Sequence, residues 1–338
     1  MRWRSWRPAA EQHRVLALAA NLDYGRTEAA GQTTYPLPSS PAPLGAGSVY
    51  KIFTAAVAMQ RGLDLDTPIP VPDTYVSKRF TDDGEPYTVH NLGDYPPSLT
   101  LQQALAQSPN TAFVALEDRI GSVDPIVEMA YRLGMRESLQ APAGPGRTVA
   151  EAVKTEERAS YTLGPEPTSP RDLANVAATI MSGGMWCPAD PIASIIDRHG
   201  KPVPLDKQPC QRAISEDLAD SLAAALSQDT TVGTAADAAT AAGWTRPMIG
   251  KTGTTQQSES AAFVGATPQY AGAVLTWSDG PAPRPICIGD PPRQCAEGNL
   301  TGGTIPARTW FATMAPLHVG TPVAPLPPAG PDHRSAPA

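Results

Sequence analysis

The sequence predicts an α+β fold, an antiparallel sheet flanked by helices with a mainly helical second lobe. Three observations carry this. An apolar stretch from Arg14 to Ala20 reads as a first strand, residues 100–184 carry repeated helix start and stop signals with one more helix cap at Ser215, and from Met248 to Trp277 short apolar runs alternate with turn formers. The order places the N-terminal strand in a sheet built mostly by the C-terminal ones, with a cleft between the lobes.

The first strand runs into the turn 21–25. Residues 31–47 hold Pro36, Pro38, Pro41, Pro43, Gly45 and Gly47 and read as a loop. It stops at Ser48, where a helix begins that runs to Gly62; it is apolar on nearly every side, hence central and buried. Residues 64–98 are polar and rich in turn formers. Thr100 caps a helix over 101–107, which breaks at Ser108-Pro109-Asn110 because proline forces a non-helical turn. A second helix spans about 111–120 and stops at Gly121; Asp124 caps a third, with Pro125 at its first position and Gly134 beyond its end. Ser169-Pro170 opens a helix that ends at Gly183-Gly184, and Ser215 caps another. Strands follow over 248–254, 261–266 and 270–277, the last two joined by Thr267-Pro268-Gln269. A closing helix is expected from Thr304 to Met314. Residues 1–13 read as an N-terminal extension, 14–315 as the folded domain and 316–338 as a Pro-rich disordered tail.

Composition narrows the function classes. The 338 residues hold 26 Lys and Arg against 33 Asp and Glu, a formal charge of −7, so nucleic acid and anionic lipid find no general attraction. Hydrophobic residues at 41% exclude a chain disordered throughout, while 38 prolines and 28 glycines point to long punctuated loops. No apolar run approaches the ~20 residues a membrane helix needs, and 15–20 is too short for a signal-peptide core, so no anchor or signal is read here. The cysteines fall as two local pairs, Cys187 with Cys210 and Cys287 with Cys295, each spanning Pro- and Gly-rich sequence. Two disulfides and an oxidising compartment are expected, with buried free thiols as the alternative. Zinc is disfavoured, since no Cys-x-x-Cys occurs and the histidines lack ligand-like spacing. No metal and no cofactor are expected.

Ser48 and Lys51 stand three apart at a helix start, so both side chains emerge on one face. An amine in an apolar setting loses part of its preference for charge and can take the hydroxyl proton as the serine attacks a carbonyl. Alone, Ser-x-x-Lys is common and reads as a helix cap followed by a surface lysine. Two further elements stand behind it. Ser108-Pro109-Asn110 projects a hydroxyl and an amide from one forced turn. Lys251-Thr252-Gly253-Thr254 lies on a strand, where Lys251 and Gly253 face one side and Thr252 and Thr254 the other. Separately these are a capped helix break and a strand end weakened by glycine. In this order, each in its expected local context, the three single out one site.

On these motifs the chain resembles the transpeptidase domain of penicillin-binding proteins, over about Val15 to Met314. Gly47-Ser-Val-Tyr-Lys-Ile-Phe-Thr54, Ser108-Pro-Asn-Thr-Ala-Phe-Val-Ala-Leu116, Gly250-Lys-Thr-Gly-Thr-Thr255, Phe263-Val-Gly-Ala-Thr-Pro268 and Gly302-Gly-Thr-Ile-Pro-Ala307 are similar to the bifunctional, class A members, and the cysteine-bearing loops to actinobacterial ones. Many class A domains carry Asp and Trp where this chain has Ser260 and Ala262. The glycosyltransferase domain and membrane anchor usual in that class are not read here, so a membrane is expected to be reached only through a segment absent from this chain.

The resemblance implies the fold shared by penicillin-binding proteins and serine β-lactamases, and an extracytoplasmic enzyme at the cell-wall face of the plasma membrane. It implies that Ser48 attacks the penultimate D-Ala carbonyl of a peptidoglycan stem peptide, releases D-Ala and passes the acyl group to an amine of a neighbouring stem. β-Lactam antibiotics would acylate the same serine. Lys51 would be the base, Ser108 a proton relay and Asn110 the holder of the substrate amide. Lys251 would supply positive charge, and Thr252 and Thr254 would bind the substrate carboxylate. The backbone N–H groups of Ser48 and Thr254 would hold the oxyanion, and Gly253 would let the substrate backbone lie against the strand. A D,D-carboxypeptidase is the nearest alternative. A β-lactamase is disfavoured because no Glu-x-x-Leu-Asn lies between Asn110 and Lys251, and a β-lactam sensor or silent scaffold because the set is intact.

Overall fold

The structure, a computed structural model, describes residues 13–34, 38–277, 285, 287 and 300–330. Strand β1 is only His13–Arg14, paired in parallel with Ala189–Asp190. The expected strand over 14–20 is therefore not formed, and it does not join the C-terminal sheet; Leu16 is 64% exposed. His13 gives the reason. Its ring is hydrogen-bonded to Asn175 Oδ1 at 2.5 Å and Ser182 Oγ at 3.1 Å, which fixes the start of the segment beside a helix and away from the sheet edge.

A 3₁₀ turn, Gly47–Tyr50, leads into α1, Lys51–Gln60. Every residue from Lys51 to Met59 is buried, as the all-round apolar pattern requires. Residues 64–98 hold a hairpin that the sequence reading missed, β2 at Thr74–Asp82 and β3 at Glu85–His90. Its turn signal is Asp83-Gly84, both at positive φ as a two-residue hairpin turn demands. Its strands are largely exposed and polar, so they show little apolar periodicity. Helix α2, Leu101–Gln107, starts on a capping box between Thr100 and Gln103. Helices α3, Asn110–Ile120, and α4, Asp124–Leu133, follow; α5, Pro170–Met181, and α6, Glu216–Ala225, are capped by Ser169 and Ser215 as read. Helix α1 packs against α2, α3, α4 and α6, which makes it the axis of the helical lobe.

The sheet is β4, Ile249–Thr254, β5, Ser260–Ala266, and β6, Ala271–Trp277, antiparallel in that order. Strand β5 is buried throughout: Ala262, Val264 and Ala266 enter the main core, while Phe263 enters a second cluster with Trp310 and Phe311 of α7, Ile305–Leu317. Helices cover both faces, so the strand reads as a continuous apolar run. Beyond α7 the expected disordered tail is laid on the body as far as Gly330: Arg246 donates to Thr321 and Pro322, and Gly330 N to Ser221 Oγ. The Cys187–Cys210 disulfide is formed. The Cys287–Cys295 pairing involves Cys295, which lies outside the described residues. Among the described residues no helix is long and apolar enough to cross a membrane, and no group of three or more His, Cys, Asp or Glu is placed to hold a metal.

Candidate active site

The sequence folds so that α1 begins against the backbone of edge strand β4. Gly47 has φ +59°, and a Cβ there would sit 2.5 Å from the backbone N, C and O of Thr254. Only glycine lets the chain pass so close, and the approach sets half-buried Ser48 next to the strand that carries the third motif. Behind the turn, Ser260 Oγ donates to Gly45 O at 2.7 Å and is hydrogen-bonded to Thr255 Oγ1 at 3.0 Å. The serine that replaces an aspartate of many class A domains is thus a fully buried tie between β5 and the nucleophile's loop.

Lys51 is completely buried and joins the first two motifs. Its Nζ reaches Ser108 O at 2.6 Å, Asn110 Oδ1 at 2.9 Å and Ser108 Oγ at 3.2 Å. Burial pushes this amine well below the ordinary lysine value, and the nearby charge of Lys251 pushes it further. A neutral amine keeps two N–H donors and a lone pair. The carbonyl oxygens of Ser108 and Asn110 can only accept, so they take the donors and leave the lone pair for a hydroxyl. Among the described residues Ser48 Oγ makes no hydrogen bond.

Ser108 ends α2 in the left-handed region, at φ 66° and ψ 37°. A non-glycine residue there costs about 1 kcal/mol or more, and Pro109 stops the helix from continuing through it. The forced turn gives Ser108's hydroxyl and its carbonyl to the same lysine. Asn110 opens α3, and its Nδ2 donates to His90 O at 3.2 Å. Asn91 takes N–H and hydroxyl donors from Thr111, so the end of the β2–β3 hairpin braces this turn. The sequence reading missed both His90 and Asn91. Their only signal was the Asp83-Gly84 turn.

Lys251 is also fully buried, with Nζ donating to Thr252 O at 3.1 Å. Burial lowers its pKa to about 8, and Asp229 opposes the fall. The alternation on β4 is as expected. Gly253 faces the loop before α1, where a Cβ would strike Ala46 O, so that packing, rather than room for a substrate, is what the structure shows to require glycine. Thr252's hydroxyl meets that of Thr234, whose Oγ1 donates to Asp229 Oδ1 at 2.7 Å. Thr254 Oγ1 accepts from Gly302 N at 3.1 Å. Asp229 and Thr234 carried no motif in the sequence and were not read as part of the site.

Comparison with known proteins agrees with this geometry. The chain matches the family described as "Penicillin binding protein transpeptidase domain" over residues 9–279. It is 30% identical over 281 residues to "Penicillin-binding protein 1A" of Neisseria gonorrhoeae, covering 79% of this chain and 30% of that protein. It is 32% identical over 156 residues to "Peptidoglycan D,D-transpeptidase PbpA" of Mycolicibacterium smegmatis, covering 41% and 29%. The chain thus spans about a third of the length of these curated relatives. Among solved structures, PonA1 of Mycobacterium tuberculosis in complex with penicillin V superposes with a TM-score of 0.69 at 22% identity, over 90% of this chain and 77% of that one. Penicillin-binding protein 1A of Haemophilus influenzae gives 0.68 at 18%, over 88% and 46%. At those identities the structures show the fold, that of penicillin-binding transpeptidase domains. Together with the family match, which runs through all three motifs, they show that the chain belongs to the family of penicillin-binding protein transpeptidase domains.

Proposed function

We propose that this domain is a peptidoglycan D,D-transpeptidase of the class A type, acting outside the cytoplasm through a Ser48 acyl-enzyme that β-lactams also form. The observation that carries the reading is the convergence of a buried, charge-averse Lys51 on Ser108 and Asn110. The PonA1 structure in complex with penicillin V, and the imipenem acyl-enzyme of penicillin-binding protein A from the same organism, support the ligand class.

Ser48 Oγ bonds to the penultimate D-Ala carbonyl carbon as Lys51 takes its proton. The oxyanion is met by the N–H groups of Ser48 and Thr254, each donor worth roughly 3–4 kcal/mol. The C–N bond to the terminal D-Ala then breaks, and the proton passes from Lys51 through Ser108 to the leaving amine. Asn110 orients the substrate amide, and Lys251 and the threonines of β4 meet the terminal carboxylate. An acceptor amine attacks the ester along the vacated path and gives a proton through Ser108 to Lys51, which passes it to Ser48 Oγ as the ester C–O bond breaks, so that Ser48 and the neutral amine of Lys51 are restored. Intact mass after incubation with benzylpenicillin tests the reading: one penicilloyl adduct per chain is expected, and none in Ser48→Ala. An unmodified wild-type chain, or an adduct retained by the variant, overturns it.

A further inference from the structure

Helix α1 begins at Lys51 and ends, roughly 15 Å away along its axis, in the wall of a cavity of about 500 Å³. That volume lies in the range of small-molecule sites. Met59 and Leu218 give the wall an apolar part, and Gln60, Arg132, Arg212 and Ser215 give it a polar one. Neither arginine has an acidic partner. Arg79, Arg147, Arg158 and Arg171 each reach a glutamate, whereas among the described residues Arg132 and Arg212 meet only uncharged acceptors.

The two guanidinium groups keep donors to spare. Arg132 Nη1 donates to Ala213 O at 3.2 Å, and its Nη2 to Gln60 Oε1 at 3.2 Å and Met129 Sδ at 3.6 Å. Arg212 Nη1 donates to Gly183 O at 2.9 Å and Ile214 O at 3.3 Å. Among the described residues this leaves the Nε–H and one Nη1–H of Arg132, and the Nε–H and both Nη2–H groups of Arg212, without a partner. Ser215 adds a hydroxyl: its Oγ accepts from Leu218 N at 3.3 Å, which leaves its proton to give.

Both arginines are held before any ligand arrives. Arg132 sits on the last turn of α4. Arg212 sits on a short ribbon, Gln211–Arg212 against Met185–Trp186, which the Cys187–Cys210 disulfide closes at the adjoining residues. Donors fixed in this way lose little freedom on binding, and a guanidinium fork matches the paired oxygens of a carboxylate or a phosphate. Arg136 brings a further positive charge to the ribbon, stacked 3.3 Å over Trp186 and hydrogen-bonded to Gln211 Oε1. No Asp or Glu lines the cavity, and Glu216 and Asp217, next along α6, stand outside its wall. In a chain of formal charge −7, this local balance is the reverse of the overall one.

We propose that the cavity is a second binding site, remote from Ser48, for a doubly charged oxyanion, a phosphate monoester or a dicarboxylate, with its oxygens on Arg132 and Arg212 and its body on Met59 and Leu218. Two cations without a counter-charge match two negative charges, and a single carboxylate leaves one of them uncompensated.

Calorimetric titration of the chain with inorganic phosphate and with succinate, at constant ionic strength set with chloride, tests the site. Saturable one-to-one binding with a Kd of about 1 mM or tighter is expected for at least one of them, and the tighter anion tells a phosphate ligand from a dicarboxylate. Arg132→Gln and Arg212→Gln should each weaken binding by about tenfold or more, and the corresponding lysine variants, which keep the charge and lose the fork, by less. Gln60→Glu keeps the side chain's shape and gives Arg132 an acidic partner, so the fold is retained while binding falls by about tenfold or more. Arg308→Gln, which removes an equal charge on α7, should bind within about twofold of wild type. Circular dichroism checks each fold, and Gln60→Glu decides wherever an arginine variant unfolds. No saturable binding of either anion, binding that Gln60→Glu leaves unchanged, or an equal loss in Arg308→Gln overturns the inference.

Discussion

Gly47→Ala should damage the site more than it damages the fold. The residue sits at φ +59°, where an L side chain costs roughly 1–2 kcal/mol. The added Cβ would also lie 2.5 Å from the Thr254 backbone, and relief of that overlap costs a further 1–3 kcal/mol, roughly, because strand and turn must part. The total, about 2–5 kcal/mol, leaves a domain with typical stability folded. Parting the turn from β4 moves Ser48 away from the Thr254 N–H, and a misplacement of about 1 Å costs on the order of a hundredfold in rate. Gly62→Ala is the control: φ is +94°, yet nothing lies within 4 Å of the new Cβ, so it bears the backbone strain alone and acylates as the wild type does. Thermal unfolding and the rate of penicilloyl adduct formation are read on both variants. If Gly47→Ala acylates within about threefold of wild type, or if the two variants lose rate equally, the close approach does not hold the nucleophile and the reasoning fails.

Lys51→Met should slow adduct formation by about 10²–10⁴ while the domain stays folded, checked by stopped-flow acylation and circular dichroism. In the wild type the rate should rise with pH as Lys51 deprotonates, at a pH below the ordinary lysine value, and fall as Lys251 titrates at about 8; a profile that rises monotonically to the ordinary lysine range contradicts the assignment. Glu117 on α3 is fully buried, and burial, then Asp118, raises its carboxyl well above the usual range against a smaller opposing effect of the Thr162 backbone. A folded acid pKa above the unfolded one means that stability is lost as pH rises from about 4 through the raised value. Glu117→Gln should therefore unfold at a higher temperature than wild type, with a gap that widens with pH and closes below about pH 4. Removing the Cys187–Cys210 bridge by Cys187→Ser with Cys210→Ser should cost about 2–4 kcal/mol in thermal unfolding and leave the acylation rate within about twofold.

What the sequence made legible and what it did not divide along a physical line. Local chemistry was readable: Thr100, Ser169 and Ser215 cap helices because a side-chain oxygen meets an N–H three residues on, and that needs no tertiary partner. So was Pro109, whose ring enforces the turn at Ser108 wherever the chain goes. The fate of residues 14–20 was not local. An apolar run can take any open edge, and the contacts of His13 with Asn175 and Ser182 decided which. The tail failed in the same way, since a proline-rich stretch gives no periodic signal even when Arg246 and Ser221 hold it in place. At the site, residues marked by a motif's spacing come together, as Lys51 does with Ser108 and Asn110. Asp229 and Thr234, which are placed beside the site by contact with Thr252 and by facing Lys251, left no pattern to find.

Under the proposed function, the surroundings of the two buried lysines bear on how one could act as a base and the other as a cation on the same few strands and turns. Two ammonium groups in one dry site repel, so a proton is shed by whichever has less to hold it. Lys251 faces Asp229, which opposes the fall of its pKa to about 8; Lys51 lies against the neutral oxygens of Ser108 and Asn110 and the Phe113 ring, and burial, then Lys251, pushes it well below the ordinary lysine value. In the proposed reaction these different environments would suit Lys51 to act as base and Lys251 as cation. Arrival of a substrate carboxylate at Lys251 then has a second effect. In the proposed reaction it would cancel part of the charge that depresses Lys51, so the proton affinity of Lys51 would rise when the acyl donor is in place, and Ser48 would be deprotonated most readily with something to attack.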